Sequence, residues 1–185
     1  MINSIDVNNT IHVDPSIKRK IRKLFKLLKN NLNDKKYIVS TREELKYLIK
    51  HIVIIDPKAD LNWIDTSHIT NMMYLFDDFF SKEFCGDVSD WDMSNVTNTR
   101  YMFYRCEKFN CDVSKWDVHN VKLMGNMFSE CYKFDSDVSK WDVHNVTEMS
   151  GLFAGCHKFN SDISKWDVSN VTDMAWMFRS CEKFN

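Results

Sequence analysis

Glycine and proline are scarce in this chain, four and two among 185 residues. That shortage excludes the collagen-like and flexible-linker classes, whose backbones depend on them. No stretch holds the ~18 consecutive apolar residues of a membrane-spanning helix. The polar, acidic start from Met1 to Thr10 lacks the basic and apolar regions of a secretory signal. A cytoplasmic location is therefore expected, or a surface or secreted one if a signal has been removed. Net charge is only −1 and 44% of residues are hydrophobic, so the composition is that of a folded domain. No P-loop, dinucleotide-binding glycine pattern, His-Glu-x-x-His or nucleophile elbow occurs. No enzymatic activity, cofactor or metal is expected.

Against these shortages stand six tryptophans, ten methionines and six cysteines. An internal repeat accounts for them. Trp91, Trp116, Trp141 and Trp166 recur every 25 residues, each followed by Asp92, Asp117, Asp142 or Asp167. Asn95, Asn120, Asn145 and Asn170 keep step, as do Phe103, Phe128, Phe153 and Phe178, and Cys106, Cys131, Cys156 and Cys181. A degenerate earlier copy runs through Asp65, Ser67, Ile69, Met72, Leu75 and Phe76, has Phe79 in place of the cysteine, and reaches Trp91 through a two-residue insertion. Within a unit, Val146, Met149, Leu152, Phe153 and Cys156 make one stripe at helical spacing. Phe159, Ser161 and Ile163, then Trp166 and Val168, alternate as extended chain does. The expected fold is an α/β repeat: a solenoid of about five 25-residue coils over residues 63–185. A single coil cannot bury its apolar side, whereas stacked coils share a continuous core.

In that frame the repeat cysteines are expected as reduced, buried thiols. The stacked Asp87, Asp112, Asp137 and Asp162, and the asparagines, are expected to accept turn amides and hydroxyls. Calcium held between coils is the competing reading of the carboxylates.

The unit from Lys140-Trp141-Asp142-Val143-His144-Asn145-Val146-Thr147 through Met149, Leu152-Phe153 and Cys156 resembles the BspA-type bacterial surface-protein repeat. The resemblance covers roughly residues 60–185, with Thr41 to Leu45 and Asp60 to Ser67 resembling the lead-in to such repeats. It implies a right-handed, leucine-rich-repeat-like solenoid and roles in adhesion and protein binding.

Residues 1–62 are expected to form a basic helical cap: they carry 13 Lys/Arg against 7 Asp/Glu, a balance of +6, and the remainder carries −7. Asp14 and Pro15 suit the start of a helix whose apolar face is Ile17, Ile21, Leu24, Phe25, Leu28 and Leu32. Lys18, Arg19, Arg22, Lys23, Lys26 and Lys29 form its basic face, for which nucleic-acid phosphates, an acidic protein patch or an anionic membrane surface would be partners. A second helix is expected from Thr41, with Glu44 completing a capping box, flanked by short strands at Tyr37–Val39 and Ile52–Ile55.

Positions that vary while the framework repeats are where recognition is encoded. These are Tyr74, Tyr101, Asn126, Gly151 and Trp176, one per coil. Tyr74, Arg100, Tyr101, Tyr104, Arg105, Trp176 and Arg179 are the expected partner-binding residues, since exposed aromatic and arginine side chains anchor interfaces. The expected function is a non-enzymatic protein-binding solenoid, an intracellular interaction module or an inhibitor of a host or phage-defence enzyme. A fragment of a secreted adhesin and a nucleic-acid binder are the alternatives. A homodimer through an uncapped C-terminal coil is a further expectation.

Overall fold

The structure, a computed structural model, describes residues 2–5, 11–13, 19, 23, 26, 35–76 and 82–185. Strands β1 (Ile2–Ile5) and β2 (Ile11–Val13) form an antiparallel pair that the sequence reading missed. Asp14, Pro15 and the apolar face from Ile17 to Leu32 lie outside the described residues, as does Phe79. Strand β3 (Tyr37–Ile38) runs parallel to β4 (Ile64–Asp65).

Between them stands helix α1 (Arg42–Ile55). Its N-cap is Thr41, whose hydroxyl accepts the Glu44 amide at 3.1 Å. Glu44 returns the contact one residue further back than a standard capping box, to the Ser40 amide, and also accepts the Tyr37 hydroxyl. The apolar run Ile52–Ile55 is the last turn of this helix and not a strand. Ile52, Val53 and Ile55 continue the buried face of Leu45 and Ile49, so the helical period overrides their β-propensity. That face joins the same core cluster as the repeats. Arg42 and Lys46 reach the carbonyls of Met73 and Tyr74 in the first unit.

Beyond α1 the repeats stack in register. Parallel bridges join Asn71 to Asn98, Asn98 to Leu123, Leu123 to Glu148 and Glu148 to Asp173. Each bridge lies at the start of the stripe read as a helix, yet no α-helix is present among the described residues after Ile55. Backbone N–H groups there alternate in direction. Tyr101, Phe103 and Arg105 donate to Gly125, Met127 and Ser129 of the next unit, while Met102, Tyr104 and Cys106 donate three residues back within their own. The next unit repeats this with Asn126, Phe128 and Glu130 against Met127, Ser129 and Cys131. Consecutive turns thus reproduce the i, i+3 apolar spacing of a helix while half the amides bind the units together.

Side-chain donors run the opposite way. The indole N–H of Trp116, Trp141 and Trp166 donates to the carbonyls of Val88, Val113 and Val138, one unit earlier, at 3.0–3.1 Å. The thiols of Cys131 and Cys156 do the same to Phe103 and Phe128. Asn120 and Asn145 donate their amides to the carbonyls of Ser94 and His119, so the asparagines are donors between units, not acceptors within turns. The carboxylates do accept locally: Asp87, Asp112, Asp137 and Asp162 take the amides of Ser89, Ser114, Ser139 and Ser164 at 2.9–3.0 Å.

Ring stacks fill the interior. Phe103, Phe128 and Phe153 are fully buried, with centroids 5.7 and 5.9 Å apart and nearly parallel planes. A second column, Phe109, Phe134 and Phe159, packs beside it. The two-residue insertion falls between Phe76 and Phe84, whose rings still stack at 4.5 Å. In the last unit Val168 and Met174 are exposed, although their equivalents Val143 and Met149 are buried.

Two predictions arise here. All six cysteines are free. Burial pushes the Cys131 and Cys156 thiols well above their usual range, and Cys111 up to about 12. Only Cys85 is exposed. Thiolates are the reactive species, so native protein treated with iodoacetamide near pH 8 is expected to label at Cys85 alone, by peptide mass mapping. Labelling of Cys131 in the folded protein would contradict the packing.

The second concerns acid. Burial tends to raise the Asp87 carboxyl, but hydrogen bonds from Ser89, Asn62 and Cys111 outweigh it and hold the group at about 2, against 3.8. Asp112, Asp137 and Asp162 are lowered mainly by their serine partners. A carboxyl depressed by folding stabilises the native state above its unfolded pKa, and the gain is lost as pH falls through the folded value. Stability is therefore expected to decline between about pH 4 and pH 2. Asp87→Asn should lower the urea midpoint at neutral pH and flatten its slope across that window. An unchanged slope would show that Asp87 takes no part.

Candidate functional site

One face of the repeats is built from strained backbone. Seven non-glycine residues have positive φ among the described residues: Tyr74, Tyr101, Arg105, Asn126, Glu130, Trp176 and Ser180. They occupy only two positions per unit, four residues apart, and Gly151 and Gly155 fill the same two positions in the fourth unit. A left-handed conformation costs a non-glycine residue roughly 1–2 kcal/mol. The alternating turn bonds impose it in every unit, and it turns the side chains at these positions out of the core. The variable residues singled out in the sequence are thus one geometric column.

Along that column Tyr74 and Tyr101 stack at 4.5 Å with planes 9° apart, and Tyr104 meets Tyr101 edge-on at 5.6 Å. The Arg105 guanidinium lies 4.9 Å from the Tyr104 ring centre and binds Glu130 at 3.1 Å. Glu130 also faces the hydroxyls of Tyr104 and Tyr132. Burial and this carboxylate raise the Tyr132 phenol, which keeps it a neutral donor. Arg100 is bound to Glu148 at 2.8 Å. Glu148 also accepts the amides of Gly125 and Ser150 and the Ser150 hydroxyl. Tyr74, Tyr101, Tyr104 and Arg105 therefore form one patch over the first units, while the Arg100 side chain is engaged by Glu148 two units on. Trp176 and Arg179 stand apart from it, with the guanidinium 5.9 Å from the indole centre. Trp176 is 74% exposed.

Between the two lies a groove of about 450 Å³, floored by Gly151, Ala154 and Gly155. Asn126, Glu130 and Tyr132 wall one side, with His157 stacked on Tyr132 at 5.0 Å; Trp176 and Arg179 wall the other. At Gly151, whose φ is +60°, the Asn126 carboxamide lies over the backbone where a Cβ would stand. Sequence reasoning missed Glu130, Tyr132 and His157. Position 130 lies in the second left-handed column, which varies from Arg to Glu to Gly to Ser, and that variation was the available signal. A larger hollow of about 790 Å³ runs past Cys111, Ser136 and Asp137 on another side. Its Asn110, Asp112, Ser136 and Asp137 groups already bond to neighbouring amides, so it presents few unused groups.

Of the basic face, Arg19, Lys23 and Lys26 are helical and exposed, while Lys18, Arg22 and Lys29 lie outside the described residues. Among the described residues no helix is long and apolar enough to cross a membrane.

No curated protein and no solved structure matches the chain. A family model matches residues 43–146 and again 106–185, two overlapping stretches that together run from α1 through all the repeat units. The chain belongs to the family described as Mycoplasma protein of unknown function, DUF285.

Proposed function

We propose that the chain is a non-enzymatic protein-binding module, in which a right-handed, leucine-rich-repeat-like solenoid of BspA type presents one recognition face. The observation that carries this reading is the left-handed column. A fixed framework repeats Trp, Phe, Asn and Cys for packing, while the column changes from Tyr to Asn to Gly to Trp and turns those side chains outward. Backbone strain of this kind persists where the surrounding structure enforces it and collects at functional positions. Tyrosine, tryptophan and arginine are the side chains that dominate binding energy at protein interfaces. Free thiols and their burial suit a reducing compartment, which favours an interaction module or inhibitor inside the cell over a surface adhesin.

The test is affinity capture from the native host with wild type and with a variant carrying Tyr101→Ala, Tyr104→Ala and Arg105→Glu. These side chains are not core residues, so the variant is expected to fold and to lose at least ~100-fold in affinity for the captured protein. A partner held equally by both, or one released in proportion to salt as phosphate contacts are, would overturn this face as the recognition surface.

A further inference from the structure

We propose that Cys85 and Cys111 form a thiol–disulfide exchange site, at which a low-molecular-weight disulfide oxidises the pair to a reversible cross-link between adjacent units. This goes beyond the protein-binding reading and does not rest on it.

The pair stands apart from the other four cysteines. Cys106, Cys131 and Cys156 are buried at one place in successive units, and Cys181 holds the same place in the fifth. Cys85 and Cys111 lie outside that column, at neighbouring places where later units carry Asn or Asp and then Ser. The repeat pattern asks for neither. Both line one hollow of about 310 Å³, together with Lys58, Gly86 and Asp87.

Side chains at these two places cross the gap between units from opposite sides. At the place of Cys85, the Asn110 carboxamide reaches forward and accepts the Asp135 amide of the next unit at 2.8 Å. At the place of Cys111, Ser136 and Ser161 reach back and accept the amides of Val113 and Val138 at 2.9 and 3.0 Å. Cys111 does the same, its sulfur accepting the Val88 amide and donating to Asp87, each at 3.4 Å. Cys111 therefore points into the unit that holds Cys85, and a Cys85 side chain turned as Asn110 is points towards Cys111. Diagonal neighbours on coils stacked about 4.8 Å apart fall within the Cα separation of about 4.4–6.8 Å that a disulfide spans. Among the described residues no backbone hydrogen bond joins 85–87 to 110–112, so the gap closes without breaking one.

The two thiols divide the work as an attacking and a resolving cysteine do. Cys85 is exposed and Cys111 is half-buried. The Cys85 thiolate, its proton given to water, attacks one sulfur of the small disulfide, forming a mixed disulfide and expelling one thiolate. Cys111 then attacks the Cys85 sulfur and passes its proton to that expelled thiolate. The second small thiolate leaves and takes back from water the proton that Cys85 gave up. Two protein thiols are oxidised, and one disulfide is reduced to two thiols. Oxidation also removes the S–H that Cys111 donates to Asp87.

The test incubates the full chain with oxidised glutathione near pH 8, quenches with iodoacetamide and maps peptides by mass. The expected product is lighter by two hydrogens, with the peptides holding Cys85 and Cys111 joined and Cys85 no longer labelled. Dithiothreitol should restore the starting mass, and circular dichroism should not change. Cys111→Ser keeps both bonds, as Ser161 does with Val138 and Asp137, and should stop at a glutathionyl adduct on Cys85. Cys85→Ser should resist modification altogether. A lasting glutathionyl adduct on wild-type Cys85, a dimer linked through Cys85, a cross-link formed only in urea, or no reaction at all would each overturn the proposal.

Discussion

Replacing Phe128 by alanine is expected to cost about 4 kcal/mol and to lower Tm by roughly 10 °C. The ring is fully buried and touches five others: Phe103 and Phe153 in its own column, Phe109 and Phe134 beside it, and Trp141. Truncation removes the transfer energy of the ring and leaves a cavity. The cavity cannot close, because the walls are bonded to the units on both sides through Phe103 N–H to Met127 and Phe128 N–H to Leu152. Phe178→Ala is the informative comparison. Phe178 is only partly buried and meets Phe153, Phe159 and Phe184. Its loss should cost less than half as much, since water can enter the space. Urea titration followed by circular dichroism measures both, and equal costs would contradict a core whose tightness depends on neighbours above and below.

Gly86→Ala should destabilise by about 3 kcal/mol although its φ is not in the left-handed region. The reason is proximity. A Cβ at Gly86 would collide with the carbonyl oxygen of Ala59 and lie 2.7 Å from the Phe84 ring. The first obstacle is backbone and the second a buried side chain, so neither yields cheaply. Around this point Cys85 donates to Pro57, Asp87 to Ala59 and Leu61 to Asp87. These three bonds join the segment after α1 to the second unit, and an added methyl pries them apart. The expected signature is an early unfolding step in which α1 loses protection from hydrogen exchange before the later repeats. A single transition with an unchanged midpoint would show that the backbone had shifted at no cost.

The period, the core columns and the capped helix at Thr41 were legible in the sequence because they are written in residue identity at fixed spacing. Trp, Phe and Cys recur every 25 residues, and all three types are buried in the middle units. The nature of the turn was not legible, since an i, i+3 stripe serves a helix and a chain of turns alike. What separates them is backbone bonding between units, and no side chain of Tyr101 or Glu130 announces a positive φ. Ile52–Ile55 misled for a related reason: four β-branched or apolar residues in a row read as strand until the buried face of α1 absorbs them. Tyr101 and Trp176 were found by their variation. The groove was half hidden, because its floor is defined by small residues at Gly151, Ala154 and Gly155, and an absence of side chain shows only against a filled neighbour.

The indole bonds have an evolutionary consequence. Each of Trp116, Trp141 and Trp166 finds its carbonyl 28 residues back, one unit plus a three-residue turn. Trp91 reaches back 30 to Leu61, across the two-residue insertion that the sequence carries between Phe76 and Phe84. Excising or duplicating a whole unit therefore leaves every indole with an acceptor. A cut of any other length takes at least one indole out of step with its acceptor. The gene can thus change length in modules, and each added module brings two fresh outward positions on which selection can write.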